Sequence, residues 1–451
     1  MGRLFGTDGA RGVANTELSC ELALQIGRAA AMVLTRHQHR RAKLVIGKDP
    51  RISSDMLESA LTAGICSVGA DVLLLGVVPT PAVAYLVEQY QADAGVMISA
   101  SHNPAEYNGI KLFNGQGYKL PDQMEEEIEA IILDHSEPVA LKTGGEIGRA
   151  SRCHTAVEDY VAHLRSTVDP RCFRTRSRMR VAVDCANGSA SATAPQLFKN
   201  LGIDFDFFSS SPNGLNINDH CGSTHTDALS ELVLSGGYDM GIAFDGDADR
   251  CLAVDEKGEL VDGDQLIALF AQHLKAHGKL PHNTAVVTVM SNLGFFRFAE
   301  KNHITAVKTK VGDRYVLEEM RRCGYSIGGE QSGHIIFTQH MTTGDGQLSA
   351  LQLLSILRES GSPLSELAQC MERYPQVIHN VKVGPEKKAA LAEHQQVQEA
   401  ICQEQTLLGE DGRVLVRPSG TEPLVRVMVE GKNRELINQC ALRIAAAIEA
   451  M

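Results

Sequence analysis

Three aspartates at alternate positions are the strongest chemical signal in this sequence. The segment DGDADR, residues 245 to 250, contains Asp245, Asp247 and Asp249, and Arg250 follows directly. Carboxylates this close together repel one another unless a divalent cation neutralises them, and Mg²⁺ prefers oxygen ligands while keeping open positions for a phosphate. An arginine beside such a cation suits a site that also binds phosphate. The motif therefore predicts a Mg²⁺ site for a phosphorylated ligand.

Three other interpretations of this motif stay open on the residues alone. The first is a solvated acidic turn. The second is an EF-hand calcium loop with Glu256 at its twelfth position, but Arg250 stands where a glycine is needed, and the flanking segments predict strands instead of helices. The third is a phosphatase of the haloacid-dehalogenase fold with Asp245 as its nucleophile. That family expects Gly-Thr or Gly-Val after the second aspartate, where this chain has Ala248 and Asp249.

The segment VMISASHNPAEYNGIK, residues 96 to 111, places two serines where an apolar strand ends. An Asn-Pro pair soon after them prevents the chain from continuing as a helix. A serine hydroxyl is a weak nucleophile unless a neighbour activates it, and no Gly-x-Ser-x-Gly elbow surrounds either serine. Ser99 and Ser101, which is followed by His102, are candidates on these grounds, and each is equally consistent with a plain turn. Lys111 gains interest only if Ser101 is a nucleophile.

Two further segments combine small residues with arginines, as phosphate sites do. The segment RPSGTEPLVR, residues 417 to 426, supplies two hydroxyls, two guanidiniums and a tight glycine turn that together can surround a phosphate. A plain Ser-Gly turn is the competing interpretation. The candidate phosphate ligands in this segment are Arg417, Ser419, Gly420, Thr421 and Arg426. The segment FGTDGARG, residues 5 to 12, has a similar composition, and Thr7 and Arg11 are candidates there.

The segment GGEQSGH, residues 328 to 334, combines a carboxylate, a hydroxyl and an imidazole. Glu330 and Ser332 can exchange hydrogen bonds with the hydroxyls of a polyol, and His334 can transfer a proton. Each of these residues alone would be unremarkable.

These segments follow predicted strands in a repeated α/β pattern. Apolar runs at 43 to 47, 70 to 78 and 93 to 99 predict buried strands, and residues 121 to 133 predict a helix with Asp122 and Glu125 as a capping box. Similar strand sets recur from 180 to 250 and from 285 to 334, whereas the last 75 or so residues predict a separate α+β domain. Ligand sites in such sheets lie beyond the carboxyl ends of the strands. We therefore expect three α/β domains with mixed, mostly parallel sheets, and a C-terminal α+β domain. The predicted domains are 1–150, 151–255, 256–370 and 371–451.

Composition limits the classes of partner and the cellular location. The net charge is -12 and no basic run is longer than RTRSRMR, which disfavours nucleic acid as a ligand. The eleven cysteines are scattered, and the sequence shows neither a signal peptide nor a long apolar span. These features predict a cytoplasmic protein that does not associate with membranes.

The four loops together resemble the active-site motifs of the α-D-phosphohexomutase superfamily. The order SASHNP, DGDADR, GEQSGH and RPSGTEP matches that superfamily's sequence of loops, one from each of four domains around a central cleft. The loop GEQSGH and the start MGRLFGTDGARG are similar to the subgroup that isomerises glucosamine phosphates, since phosphomannomutase/phosphoglucomutases commonly have Met in place of Gln331.

This resemblance implies a role for each candidate residue. Ser101 would carry a covalent phosphate, and the three aspartates would bind one Mg²⁺ together with the Ser101 phosphate. Glu330 and Ser332 would bind sugar hydroxyls, and the segment from Arg417 to Arg426 would hold the phosphate that does not react. The catalytic set implied or suggested by position comprises Ser101, His102, Lys111, Arg250 and His334.

The activity that the resemblance implies is the interconversion of glucosamine 6-phosphate and glucosamine 1-phosphate through a bisphosphorylated sugar, toward UDP-N-acetylglucosamine and cell-wall precursors. The phosphorylated hexosamine would be the only partner apart from a second copy of the chain, because either a monomer or a homodimer is compatible. Three alternatives are a phosphomannomutase/phosphoglucomutase, a sugar phosphatase that uses Asp245, and a sensor that binds sugar phosphates without catalysis.

Overall fold

The structure is a computed structural model, and it describes residues 3–6, 8–36, 40–174, 178–419 and 423–451. The chain divides into two compact units. The first unit comprises Met1–Met290 and Ile304–Cys370, and the second comprises Ser291–His303 and Met371–Met451. Among the described residues, no helix combines the length and the apolar character needed to cross a membrane.

The first sheet of the first unit has seven strands in the order β1-β2-β6-β5-β3-β4-β7. Its strands are β1 (Phe5–Gly6), β2 (Gly9–Val13), β3 (Lys43–Lys48), β4 (Asp71–Val77), β5 (Ala94–Ile98), β6 (Tyr107–Asn114) and β7 (Ala150–Arg152). Its helices are α1 (Cys20–Thr35), α2 (Ile52–Ser67), α3 (Thr80–Gln89) and α4 (Asp122–Leu133). Strands β5, β3, β4 and β7 run parallel, whereas β6 is antiparallel to β5. Because β3 and β5 are neighbours, the residues that follow each of them meet at one edge of the sheet.

One local prediction for this sheet is wrong. Helix α4 begins at Asp122 as expected, but Pro121 is its N-cap and no side chain caps it, so Asp122 and Glu125 form no capping box. Pro121 has extended backbone angles and leaves Asp122 as the first helical residue, where its carboxylate pairs with Arg314 instead. The predicted apolar face is present, with Ile128, Ile131 and Ile132 buried.

The second sheet has the order β12-β11-β10-β8-β9. Its strands are β8 (Arg180–Asp184), β9 (Asp204–Phe208), β10 (Met240–Phe244), β11 (Cys251–Asp255) and β12 (Leu260–Val261), and the helices of this region are α5 (Ala156–Ser166), α6 (Ala190–Phe198) and α7 (Asp227–Gly236). Strands β10 and β11 are antiparallel, and residues 245–250 connect them. Strands therefore flank the aspartates on both sides, which excludes the helix-loop-helix frame of an EF-hand.

The third sheet has the order β14-β13-β15-β16. Its strands are β13 (Thr284–Thr288), β14 (Thr305–Thr309), β15 (Ile327–Gly329) and β16 (Ile335–Phe337). The helices along this part of the chain are α8 (Gly263–Ala276), α9 (Leu293–Lys301), α10 (Asp313–Cys323), α11 (Gly346–Ser360) and α12 (Leu364–Leu367), of which α9 belongs to the second unit. Residues 330–334 connect β15 to β16, so the candidate sugar ligands follow a strand end as expected.

The second unit contains a three-stranded antiparallel sheet of order β17-β19-β18. Its strands are β17 (Gln376–Lys382), β18 (Gly412–Pro418) and β19 (Leu424–Gly431), and its remaining helices are α13 (Pro385–Ala390), α14 (Gln395–Leu408) and α15 (Arg434–Glu449). Helix α15 packs Ile437, Cys440, Ile444 and Ile448 into the core of this unit. The predicted fold class is confirmed: mixed, mostly parallel α/β sheets are followed by a smaller antiparallel α+β region. The four predicted domain boundaries stay predictions.

Candidate active site

The serine loop, residues 99–106, leaves the carboxyl end of β5 and holds Ser101 in an uncommon backbone conformation. Ser101 has a φ of 51°, in the left-handed region that costs a non-glycine residue about 1–2 kcal/mol. Its amide donates to Ser99 Oγ over 2.9 Å, and its own hydroxyl donates to Asp245 Oδ2 over 2.6 Å. Ser99 therefore positions the loop, whereas the Ser101 hydroxyl faces the aspartates.

Buried charges behind the serine loop hold it in place. Arg51 is 2% exposed, and its guanidinium donates to the Ser101 carbonyl over 3.0 Å and to Asp49 Oδ2 over 2.9 Å. Asp49 also accepts the Ser99 hydroxyl over 2.6 Å, and Asn218 donates to the Ser101 carbonyl over 2.9 Å. These contacts join the segments after β3 and β5 to the second sheet region, and they offset the strain at Ser101.

The aspartate loop, residues 245–250, approaches the serine loop at a glycine. A Cβ on Gly246 would lie 2.5 Å from the Ser101 carbonyl oxygen, so only glycine permits this contact. The three carboxylates are buried and each offers one oxygen to a common cluster whose atoms lie within 4.8 Å of one another. Burial and the repulsion of Asp249 and Asp247 raise the pKa of Asp245 well above its usual range. The cluster thus carries an electrostatic cost that a cation would relieve.

The donor set fits Mg²⁺. Within the described part of the chain, the buried Asp247 Oδ1 and Asp249 Oδ1 have no hydrogen-bond partner. A buried carboxylate oxygen without a partner is costly, and carboxylate oxygens are the ligands that Mg²⁺ prefers. Asp245, Asp247 and Asp249 would therefore hold the cation, with Ser101 beside them.

Lys111 provides positive charge next to the aspartates. Its ammonium lies 2.7 Å from Asp247 Oδ2 and 3.5 Å from Asp249 Oδ2, and Thr80 donates to the same Asp247 oxygen over 2.5 Å. Burial disfavours the charged lysine, but Asp247, Asp8 and Asp249 together raise the pKa of Lys111 above its ordinary range. Lys111 is thus a permanent cation, which favours a role as hydrogen-bond donor over one as a base.

The ring of Arg250 lines the same pocket from the end of the aspartate loop. Its amide donates to Asp245 Oδ1 over 3.2 Å, while its guanidinium Nε lies 3.9 Å from Asp249 Oδ1. No residue in the described ranges hydrogen-bonds this buried Nε. Burial, Arg250 and Arg11 lower the pKa of His102 to about 4, so this imidazole is neutral beside Ser101 Oγ, 3.4 Å from its Nδ1. The guanidinium and neutral imidazole suit an anionic group arriving at Ser101.

The Glu330 loop, residues 330–334, brings the candidate sugar ligands to the first unit's site. The Gly333 carbonyl accepts from the Cys251 amide over 3.0 Å, which ties this loop to the end of the aspartate loop. Glu330 Oε1 accepts the Gly312 amide over 3.1 Å. Ser332 Oγ is buried, and no described residue is its hydrogen-bond partner. An unused hydroxyl beside a carboxylate can receive sugar hydroxyl groups.

His334 completes a closed ring of alternating charges. Its Nδ1 lies 3.6 Å from Asp249 Oδ2 and its Nε2 lies 3.4 Å from Asp313 Oδ2. Lys119 joins Asp313, over 2.6 Å, to Asp8, over 2.5 Å. Lys111 closes the ring between Asp8, at 3.2 Å, and Asp249.

The ring has electrostatic consequences for its acidic and basic members. Burial lowers the pKa of His334, but Asp249 and Asp313 outweigh it, so the net pKa is raised. Burial likewise opposes ionisation of Asp8, yet Lys111 and Lys119 hold the pKa of that carboxyl well below its usual range. Each charge is thus stabilised by two opposite neighbours, and the ring links the amino-terminal segment, the aspartate loop and the Glu330 loop.

The residues predicted near the amino terminus divide between the two sides of this picture. Arg11 pairs with Asp8 and reaches Asn103 Oδ1 over 3.5 Å, so it lies beside the serine loop. Thr7 lies outside the described residues.

In the second unit, two of the predicted phosphate ligands stand side by side. Arg417 on β18 is paired in register with Arg426 on β19, and like charges directly opposite each other destabilise a sheet. Burial and the neighbouring Arg426 lower the pKa of Arg417. Its buried Nε has no hydrogen-bond partner among residues 3–6, 8–36, 40–174, 178–419 and 423–451. Ser419 is buried next to them, while Gly420 and Thr421 lie outside the described residues.

Sequence reasoning missed the residues that support this site. Asp49 and Arg51 lie in KDPR directly after β3, and Asp8, Lys119 and Asp313 join the charge ring. One signal was available: β3 was a predicted parallel strand, so polar residues after it could be expected beside those after β5. No local pattern indicates that Lys119 pairs with two carboxylates that lie far from it in the sequence.

Comparison with known proteins agrees with the arrangement of these loops. Sequence models of the phosphoglucomutase/phosphomannomutase family match this chain in order: alpha/beta/alpha domain I at residues 2–138, domain II at 158–258, domain III at 262–374 and the C-terminal domain at 379–447. Each of the four loops lies within one of these matches. The chain therefore belongs to the phosphoglucomutase/phosphomannomutase family and is a mutase, an isomerising enzyme, as the sequence predicts.

Full-length relatives are similar at much higher identity than the family models require. The phosphoglucosamine mutase of Clostridium novyi is 53% identical over 449 residues, which is 100% of this chain and 99% of the relative. The phosphoglucosamine mutase of Thermoanaerobacter pseudethanolicus is 55% identical over 450 residues, again 100% and 99% of the two chains.

Solved structures of low identity share the fold. A phosphoglucomutase/phosphomannomutase family protein from Burkholderia thailandensis superposes with a TM-score of 0.83 at 24% identity, over 99% of this chain and 97% of that one. The Aspergillus fumigatus N-acetylphosphoglucosamine mutase, solved with GlcNAc-6P and magnesium, has a TM-score of 0.70 at 18% identity, over 99% and 95% of the two chains.

Proposed function

We propose that this enzyme interconverts α-D-glucosamine 6-phosphate and α-D-glucosamine 1-phosphate, using a phosphate carried on Ser101. The observation that carries the proposal is the buried Ser101 hydroxyl, 2.6 Å from Asp245 Oδ2 within a carboxylate cluster that fits Mg²⁺. The substrate class rests on the full-length relatives, which are phosphoglucosamine mutases.

The first transfer would move the phosphoryl group from Ser101 to the free hydroxyl of the bound sugar phosphate. The bond between phosphorus and Ser101 Oγ breaks, and a bond to the sugar oxygen forms, which gives a bisphosphorylated sugar. The sugar hydroxyl must lose its proton, and His334 is the imidazole placed at the sugar loop to accept it. When Ser101 regains a proton, its hydroxyl returns to the hydrogen bond with Asp245.

The second transfer would be the first in reverse, with the other phosphate of the bisphosphate facing Ser101. Arg250 and Lys111 stay charged throughout and can donate hydrogen bonds to the phosphoryl oxygens, since such transfers depend mainly on position and electrostatics. Mg²⁺ held by Asp245, Asp247 and Asp249 would neutralise charge that develops on the phosphoryl group.

The other loops would orient the sugar. Glu330 and Ser332 offer an acceptor and an unused hydroxyl to the sugar, and the paired guanidiniums of Arg417 and Arg426 offer donors to the phosphate that does not react. One set of contacts must accept the phosphate at either end of the sugar, which suits flexible charge recognition by arginine.

The test is mutase turnover of a Ser101→Ala enzyme, with Ser136→Ala at an exposed serine as the matched control. We expect Ser101→Ala to lose turnover and the control to keep it, because no other hydroxyl occupies the place beside Asp245. Substantial turnover by Ser101→Ala would overturn the role of Ser101. Equal or better efficiency with glucose or mannose phosphates would overturn the proposed substrate while leaving the mutase chemistry intact.

A further inference from the structure

A second cluster of metal-binding side chains lies outside the active site, on the surface of the first unit. His273 lies near the end of α8, His277 follows that helix, and Glu359 lies near the end of α11. Each residue offers one ligand atom, and these atoms lie within 4.8 Å of one another. The side chains are 29%, 42% and 47% exposed, so an ion could reach them from solvent.

Distances within the cluster are close to those of a metal site. His277 Nε2 lies 3.1 Å from Glu359 Oε1, and His273 Nε2 lies 3.9 Å from Glu359 Oε2. Ligands at the usual Zn²⁺ bond lengths in a tetrahedral arrangement are about 3.3 Å apart. Two histidines four residues apart on a helix are a known way to present a pair of imidazole nitrogens to Zn²⁺. A small rotation of His273 would therefore complete the set.

The imidazole of His277 is already oriented for binding. Its Nδ1 lies 2.9 Å from the carbonyl oxygen of His273, a contact in which Nδ1–H donates. That hydrogen bond leaves Nε2 to face the carboxylate, where either a proton or a metal ion must separate the two lone pairs. Burial, His277 and Lys279 lower the pKa of His273, while Glu359 opposes them, so this neighbour favours the neutral form that binds metals.

We propose that His273, His277 and Glu359 bind one divalent transition metal ion of the Zn²⁺ type, with water completing its coordination. Two imidazoles and one carboxylate are the ligand types that such ions prefer, whereas Mg²⁺ and Ca²⁺ prefer sites made only of oxygen. The cluster is thus chemically distinct from the aspartate loop, and its proposal does not depend on the proposed function.

The two helices that the ion would join both begin at active-site loops. The Gly263 amide at the start of α8 donates to the Gln331 carbonyl over 3.0 Å, and the Gly346 amide at the start of α11 donates to the Ala248 carbonyl over 3.0 Å. Helix α8 has 14 residues, which span about 21 Å. The ion would therefore link the far ends of these helices, and we expect it to stabilise the first unit without taking part in the reaction.

The test is a calorimetric titration of the full chain with Zn²⁺ in the presence of excess Mg²⁺, which keeps the aspartate loop occupied. We expect one Zn²⁺ per chain, and a rise in the unfolding midpoint that EDTA reverses. In the double variant His273→Gln and His277→Gln, affinity falls by more than the roughly tenfold that loss of an outer partner costs. The matched control is His135→Gln with His154→Gln at exposed positions, which should bind Zn²⁺ like the native chain.

Two results would overturn this site. The first is Zn²⁺ binding that is unchanged in the His273 and His277 double variant. The second is competition between Zn²⁺ and Mg²⁺ for one site, which would place the bound Zn²⁺ on the aspartates. Glu359→Gln tests the third ligand separately: it should weaken Zn²⁺ binding while leaving the fold, judged by circular dichroism, unchanged.

Discussion

The aspartate loop in the first unit and the arginine pair in the second are opposite versions of one device. Each gathers like charges that repel until an ion of opposite sign arrives: Asp245, Asp247 and Asp249 need a cation, and Arg417 and Arg426 need an anion. Both contain buried polar atoms that no described residue satisfies. The two clusters differ in their support, and that difference indicates which ion is held throughout the cycle and which is exchanged.

The aspartate loop is supported from several directions by buried groups. Lys111, Thr80 and the Ser101 hydroxyl all contact its carboxylates, and the charge ring connects it to the Glu330 loop. The arginines are partly exposed and lie on two neighbouring strands. A resident cation that stays bound suits the first arrangement, whereas a substrate phosphate that must leave suits the second.

The largest effect should come from Asp247→Asn. Removing one carboxylate lowers the affinity for the cation and the charge stabilisation near the phosphoryl group, so kcat should fall on the order of 10³-fold. Steady-state kinetics and calorimetric Mg²⁺ titration measure both effects. Asp227→Asn, at an exposed position, is the control and should change neither. Full Mg²⁺ affinity in Asp247→Asn would show that this carboxylate is not a ligand.

The next effect concerns the support of the first unit. Lys119→Met leaves Asp8 and Asp313 without their shared cation, so the free energy of unfolding at neutral pH should fall by about 3 kcal/mol. Lys119 helps to depress the pKa of both carboxyls. The stability that they contribute is present above their unfolded pKa and is lost as the pH falls through the folded pKa.

The pH dependence of the Lys119→Met variant therefore has a defined sign. Its deficit in unfolding free energy should be largest at neutral pH and should shrink as the pH falls below the ordinary carboxyl range, where both residues are protonated. Chemical denaturation across pH measures this, and Lys119→Arg should restore most of the loss. A deficit that is constant with pH would mean that lost packing, and not the ion pairs, explains the change.

A smaller effect is expected in the second unit. Arg417→Met removes a donor to the substrate phosphate, which should lower kcat/KM about 30-fold, the equivalent of about 2 kcal/mol. Because it also removes repulsion with Arg426, the unfolding midpoint of the free enzyme should stay level or rise. Arg434→Met, exposed at the start of α15, is the control and should leave both quantities unchanged. A lower midpoint together with unaltered kcat/KM would make Arg417 a structural residue.

The smallest effect is expected for Ser99→Ala. The variant loses the hydrogen bonds to Asp49 and from the Ser101 amide, so the unfolding free energy should fall by about 1 kcal/mol. Because Ser99 only positions the loop, kcat should fall by less than in Asp247→Asn, about tenfold. Activity as low as that of Ser101→Ala would instead give Ser99 a direct role in the transfer.

Much of this fold was predictable because its signals are local. Apolar runs located β3, β4 and β5, and the aspartates announce themselves within six residues. The choice between Ser99 and Ser101 was not local, since it depends on Asp49, which lies 50 residues away and orients Ser99. The charge ring depends on Asp8, Lys119 and Asp313, brought together by three separate segments. The capping box failed because Pro121 took the N-cap position.

The most direct test of the central claim follows the phosphate on the enzyme itself. The enzyme is charged with hexosamine 1,6-bisphosphate, separated from it, and analysed by intact mass spectrometry and peptide mapping before and after one equivalent of glucosamine 6-phosphate. We predict one phosphate per chain on Ser101, which leaves when the sugar is added and appears on the sugar and not as inorganic phosphate. A phosphate on Asp245, or transfer of the group to water, would contradict this account.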